Sequence, residues 1–354
     1  MSRKAFFNRA FLVLLLIFYS SEAVNKNYIP KADFIQTWFC QYWTEENWES
    51  HIRKLINAGY NEIIIQGSIE IKPNFIEIYY NSAFFRIEAK RKNLELHDFS
   101  TFYEKIFKAI KKINKPFYVS MGLTYQHEWY SNSLINKQYY DTIINYEKNC
   151  IREILTSELF NTNRQYISSL YSVYEMYDYI IPEDYEDGTW QITDLERAWG
   201  NFLKDTVEYI KTFTNVQIPL FISPFHSAYY KPPYNTEYRI WRNILSIANL
   251  REIDAVAPQD HFGFMGSAYV AEEGKTCKDH LKAIKEACKK HSRAQFWINN
   301  ELFTKDYTTA DFDRIKHQFA INEQLKPKKV ISFSLSHYGI NNDQFYNQYV
   351  QHVK

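Results

Sequence analysis

The chain has 354 residues, enough for one large α/β barrel or for two smaller domains, and enough to bury a substantial core. Its 42 Lys and Arg balance 41 Asp and Glu, and a net charge of +1 leaves no electrostatic case for a nucleic-acid partner. Aromatic residues reach 18%, with 29 Tyr and 8 Trp; each joins an apolar face to a polar edge and suits a cleft that stacks sugar rings, although an AT-rich coding sequence accounts for much of the same bias.

Residues 1–23 read as a signal peptide. Arg3, Lys4 and Arg9 form a basic stretch, residues 10–19 an apolar run, and Ser21-Glu22-Ala23 supplies small residues at peptidase spacing. The apolar run is short for a membrane span, and an uncleaved anchor is the alternative. The expectation is an exported protein, secreted or periplasmic, whose barrel domain is residues 24–354 and which has no membrane contact after cleavage. Four cysteines follow: Cys40, Cys150, Cys277 and Cys288. Their spacing matches no zinc pattern. An even count in an oxidising compartment permits disulfides in three connectivities, but Cys277 and Cys288 fall in one predicted helix about 16 Å apart, too far to bridge if it is continuous, and free, partly buried thiols are expected.

Beyond the leader, short β-branched or aromatic runs alternate with longer amphipathic ones. The strands are predicted at Asp33–Phe39, Glu62–Gln66, Phe117–Leu123, Tyr177–Pro182, Pro219–Pro224, Asp254–Pro258, Gln295–Leu302 and Val330–Ser336. Helices are predicted at Glu45–Ala58 (with Thr44 as N-cap and Gly59 as stop), Thr101–Ile113, Asp194–Phe213, Asn235–Leu250, Lys275–His291 and Ala310–Leu325. Strand-helix alternation of this length points to a single-domain (β/α)8 barrel, the TIM-barrel fold. An open doubly wound sheet is the runner-up, but no glycine-rich phosphate loop follows an early strand. Residues 67–97 and 124–137 are long βα connections on one mouth of the barrel. Within the first, Phe75–Tyr80 and Ala83–Glu88 are read as a hairpin.

Barrel chemistry comes from the carboxyl ends of strands. Those ends offer Gln36 and Trp38 on strand one, Gln66 on strand two, Glu183 and Asp184 after strand four, and His226 after strand five. Strand six offers Gln259 and Asp260, and strand eight His337. On strand seven, alternation places Trp297, Asn299 and Glu301 on one face: a ring to stack, an amide to hold a hydroxyl and a carboxylate for the anomeric carbon. Glycoside hydrolysis needs a second carboxyl group, one of the pair being held protonated. Glu183 or Asp184 can supply it, and a strand end admits only one of two neighbours. Glu186 and Asp187 read as a solvated loop.

Several segments recur in an order that resembles one family. They are Phe34-Ile35-Gln36-Thr37-Trp38, Ile63-Ile64-Ile65-Gln66, Ile180-Ile181-Pro182-Glu183-Asp184, Ile222-Ser223-Pro224-Phe225, Ala257-Pro258-Gln259-Asp260 and Trp297-Ile298-Asn299-Asn300-Glu301-Leu302-Phe303. The resemblance is to the domain of unknown function 4434 family, over roughly residues 30–340. It implies a TIM barrel similar to glycoside hydrolases. The chain also resembles the large glycosidase clan with its acid/base on strand four and its nucleophile on strand seven. That implies Glu183 or Asp184 as acid/base, Glu301 as nucleophile and retention of configuration. Two departures stand at strand four. The family carries Glu two places after the Pro, where this chain has Asp184, and the Asn-Glu pair of the clan is absent because Pro182 precedes Glu183.

The implied partner is an oligosaccharide or polysaccharide, with no cofactor. Trp38 and Trp297 are expected to stack, and Gln36, Gln66, Gln259, Asp260 and Asn299 to hold hydroxyls. His226 and His337 are expected near the substrate. The alternatives are a metal-dependent barrel hydrolase, for which His226, His261 and His337 lie near strand ends but in no H-x-H or H-E-x-x-H spacing, and a carbohydrate-binding barrel without catalysis.

Overall fold

A computed structural model describes residues 25–126, 136–172, 194–214, 216–224, 234–265, 274–304 and 306–354. The parallel strands are β1 (Ala32–Ile35), β2 (Glu62–Ile65), β6 (Tyr118–Gly122), β8 (Ile167–Ser172), β9 (Leu220–Ile222), β10 (Ala255–Val256), β11 (Gln295–Phe296), β12 (Ile298–Glu301) and β13 (Val330–Phe333). They run in the order β11-β10-β9-β8-β6-β2-β1-β13-β12. β11 and β12 are one strand interrupted at Trp297. β11 pairs with β10 and β12 with β13, so the first and last members of the order are continuous and the sheet closes into a (β/α)8 barrel.

Helices cover the outside because each carries one apolar stripe. Glu45–Asn57 starts at a capping box in which the Thr44 side chain and Asn47 satisfy each other's backbone amides. It buries Trp48, Ile52 and Leu55 against the sheet. Thr101 precedes the helix Phe102–Ile113, which ends at Asn114 in the left-handed conformation. The strands contribute alternately to this outer core and to a smaller inner one made by Ala32, Phe34, Ile64, Tyr171, Phe221, Ala255, Ala257, Trp297 and Ile331.

Three sequence expectations are corrected. The fourth barrel strand is Ile167–Ser172, not Tyr177–Pro182, which lies outside the described residues. It escaped because three of its six residues are serine; inside the barrel Ser169 meets Ser120, which donates to Glu62 at 2.7 Å, and Lys329 pairs with the other Glu62 oxygen. Second, the expected hairpin is half right. Phe75–Ile78 is strand β4, but Ala83–Lys92 is a helix, capped by Ser82 at one end and left-handed Asn93 at the other. Third, the connections after β2 and β6 hold a second, four-stranded sheet. It contains β3 (Ile69–Ile71), β5 (Glu95–Asp98) and β7 (Thr124–Gln126) in the order β5-β4-β3-β7. β3 and β7 follow directly on β2 and β6, so this sheet rises from the carboxyl-end mouth, as the two long connections implied. No disulfide joins the four cysteines, all of which are buried. No described helix is long and apolar enough to cross a membrane.

Glu147, on the helix Lys137–Thr156, ties the barrel to this second sheet. One carboxylate oxygen accepts from Thr124 N (3.2 Å) and Thr124 Oγ1 (2.5 Å), the other from Ser172 Oγ (2.8 Å). Burial pushes its pKa up to about 7, against which these hydrogen bonds work. The folded carboxyl therefore holds its proton more tightly than the unfolded one. Stability is greatest below the unfolded pKa and is lost as pH rises to about 7. Glu147→Gln removes this titration. Its stability relative to the parent is expected to rise by up to about 3 kcal/mol between pH 4 and pH 8. Denaturant melts across that range test this, and a difference that stays flat with pH contradicts it.

Candidate functional site

Glu301 closes β12 opposite Phe333 and is fully buried. Trp297, two turns of the pleat earlier, belongs to the inner core, so the alternation of the strand sends Asn299 and Glu301 to the same inner face. One oxygen of Glu301, Oε2, accepts from the amide of Gly263 at 2.7 Å. Only glycine leaves room for that contact: a Cβ at position 263 would stand 2.7 Å from the same oxygen and 2.7 Å from the Phe303 ring.

The peptide of Glu301 is gripped from the outer side. Its N–H donates to Asp260 Oδ1 at 3.2 Å. Its carbonyl accepts from Arg314 at 2.8 Å and from Gln318 at 3.0 Å, both on the helix Phe312–Leu325. Arg314 also donates to the Phe262 carbonyl at 2.9 Å, which fixes the turn that carries Gly263. Burial pushes the Asp260 pKa up, opposed by bonds from Asn300, Glu301 and Gln318, and lowers that of Arg314.

The expectation that Asp260 holds a sugar hydroxyl is therefore corrected. Its carboxylate is engaged by Phe262 N, Glu301 N, Asn300 Nδ2 and Gln318 Nε2, all groups of the chain. Neighbours on an extended chain point opposite ways, and Asp260 takes the helix side while half-buried Gln259, the backbone pairing partner of Asn299, takes the barrel side. Trp297 is corrected likewise. It lies in the inner core against Phe221 (5.3 Å), with the Lys329 ammonium 4.6 Å from its ring, so it is part of the barrel floor rather than a wall of the mouth.

Trp38 does stand at the mouth. It is 55% exposed on the one-turn helix Thr37–Cys40 and lies 5.6 Å from the His337 ring. His337 accepts from the Gln36 main-chain N–H through Nε2 at 3.0 Å, which places its own proton on Nδ1. Burial pushes its pKa down to about 4, so it is neutral over the ordinary range. Gln36 is half-buried and Gln66 buried, each directly after its strand. Gly122 lets the Gln66 main chain pass, since a Cβ there would meet its carbonyl oxygen at 2.2 Å. Glu183, Asp184 and His226 lie outside the described residues. Among the described residues no three His, Cys, Asp or Glu are grouped to hold a metal ion.

A family profile described as "Domain of unknown function (DUF4434)" matches residues 32–344. The chain belongs to this family. No curated protein matches it. Among solved structures it is similar to a "putative alpha-L-fucosidase" from Bacteroides thetaiotaomicron, with 16% identity, 93% of this chain and 94% of that one covered, and a TM-score of 0.61. An endo-1,4-beta-mannanase from Rhizomucor miehei (11%, 91% and 93%, 0.56) and an endocellulase from Pyrococcus horikoshii (13%, 92% and 92%, 0.53) are also similar. At these identities the likeness is one of fold, the TIM barrel.

Sequence reasoning missed Gly263, Arg314, Gln318 and Ser223 as parts of the site. Of these only Ser223 carried a signal, since it precedes a proline at a strand end. Tyr338 was also missed; its ring lies 5.2 Å from that of Phe303, and its pKa is raised to about 12 by burial, then by Tyr307 and Glu301. Gly263→Ala is expected to push the Glu301 carboxylate off its 2.7 Å bond at a cost of about 1–3 kcal/mol. A crystal structure of that variant with the bond intact would show that the glycine is not required.

Proposed function

We propose that the chain acts on a glycan as a retaining glycoside hydrolase, with Glu301 as nucleophile. The observation that carries this is the fully buried Glu301 at the end of the seventh strand, with its carboxylate held by Gly263 and its peptide by Asp260, Arg314 and Gln318. A buried carboxylate is costly to keep. Here it sits on the barrel's inner face beside the amide of Asn299, and Trp38, Gln36, Gln66 and Gln259 follow other strand ends.

In the proposed reaction a Glu301 oxygen attacks the anomeric carbon while the bond to the leaving oxygen breaks and an acid on the opposite side gives that oxygen its proton. The same acid, now a base, takes a proton from water; the water oxygen attacks the anomeric carbon and releases Glu301. The acid is assigned to the segment after the fourth strand, with Glu183 or Asp184 as its carrier. The observed end of that strand at Ser172 adds Glu175, three residues on, as the nearest acid in sequence. Carboxyl groups about 5–5.5 Å apart accompany retention and about 6.5–9.5 Å inversion. Export by the amino-terminal leader is part of the same proposal, since it would bring the protein to extracellular glycans.

Glu301→Gln keeps the shape and removes the nucleophile. It is expected to lower turnover of a hydrolysed glycan by at least about 10³-fold while leaving binding and the melting temperature near those of the parent. The amide variants of Glu175, Glu183 and Asp184 identify the acid as the one whose loss spares substrates with a good leaving group. NMR of the first-formed anomer reads retention directly. Undiminished turnover by Glu301→Gln would falsify the mechanism. A parent that binds glycans and turns none over supports the binding-only barrel, and activity that tracks metal content supports the metal-dependent one.

A further inference from the structure

Pro224 sets the polarity of the amide beside Glu301. β9 and β10 run parallel with Phe221 opposite Ala255 and Ile222 opposite Val256. In that register Ala257 N donates to Ile222 O at 2.8 Å, and Gln259 N to Pro224 O at 3.1 Å. The Ala257 carbonyl would take its ladder bond from the N–H of residue 224, but proline has none. The Ser223 hydroxyl fills the gap, donating to Ala257 O at 2.9 Å. A hydroxyl has one proton. With that proton spent, Ser223 Oγ can only accept from Asn299, at 2.8 Å, so the group facing it is the amide nitrogen. The Asn299 oxygen is left over. The residue is 1% exposed, and among the described residues this oxygen has no hydrogen-bond partner. It belongs to the inner face that Glu301 shares.

We infer that Asn299 Oδ1 is a fixed acceptor that reads an O–H or N–H donor on the ligand bound at Glu301, with Ser223 as the positioning residue that prevents the amide from turning over. This rests on the glycan reading and narrows it. The ligand must carry a free hydroxyl or an amide N–H at that point, and a sugar deoxygenated or O-methylated there is rejected, because the acceptor has lost its water and gains nothing in return.

The test uses the full chain carrying Glu301→Gln, which binds without turnover. Calorimetry against cello-, manno-, xylo- and chito-oligosaccharides and fucosylated glycans selects the tightest ligand, whose monodeoxy and mono-O-methyl analogues are then measured. One position is expected to lose at least about 10-fold in affinity on either change. That loss should fall below about 3-fold when Asn299→Ala or Ser223→Ala is added, the second because the amide is then free to turn. Neutron diffraction of the deuterated parent gives a reading that needs no ligand: a deuteron on Ser223 pointing at Ala257 O, and the Asn299 nitrogen facing Ser223. A reversed amide overturns the inference. So does a position-specific loss that persists unchanged in both variants, and in that case the glycan reading stands. Failure of every glycan to bind removes the glycan reading itself and this inference with it.

Discussion

Strict alternation along the seventh strand is the constraint on which the site depends. Trp297, Asn299 and Glu301 enter the barrel, while Ile298 and Asn300 face the helices. The inner set supplies floor, acceptor and carboxylate. On the outer side Asn300 donates to Asp260 at 2.8 Å and accepts from Asn322 at 2.7 Å, which joins the strand to the helix Phe312–Leu325. A shift of one residue would bury the polar outer set in the barrel and expel Glu301 from it, so register and chemistry are set together.

The same alternation explains what the sequence made legible. Strands built on an unbroken apolar run stood out, as Ile63-Ile64-Ile65 does within Glu62–Ile65. Ile167–Ser172 did not, because three of its six residues are serine, and Ser169 joins the polar floor of Ser120, Glu62 and Lys329. That mistake moved the predicted fourth strand ten residues along the chain, and with it the place where an acid was sought. Asp260 was read as a ligand group because a strand end offers two neighbours and composition does not say which one turns inward. Ala83–Glu88 was read as the second arm of a hairpin about Asn81-Ser82, although Ser82 and Asn93 are the caps of the helix Ala83–Lys92. Here local capping chemistry carried more information than apolar content.

The second sheet makes the mouth asymmetric. Glu70 and Glu77 are direct cross-strand partners on β3 and β4, both buried, with Lys72 at 3.4 Å and 3.8 Å from them. Glu70 also accepts from Thr37, and Tyr79 donates to Gln41 at 3.1 Å, so this sheet holds the segment that presents Trp38. Burial pushes the Glu70 pKa up, partly offset by Lys72. The exposed ring of Trp38 is thus placed by ion pairing on one side and by the neutral His337 on the other.

Behind Glu301, charge is spent on main chain rather than on side chain. Arg314 and Gln318 grip the Glu301 carbonyl, Asp260 takes its N–H, and none of the three is shown bonded to its carboxylate. An apolar substitute for this buried group of charges would be neutral or stabilising for the fold. It would leave the strand end free to move, however, and the carboxylate is set by that strand end together with Gly263. Proton-transfer and nucleophilic chemistry depend on placement to a fraction of an ångström. Three outer hydrogen bonds hold the backbone and the Gly263 amide holds one carboxylate oxygen, and together they fix the position of Glu301. Asn299 follows the same rule one pleat earlier: its nitrogen is committed to the barrel through Ser223, and its oxygen is kept for what binds.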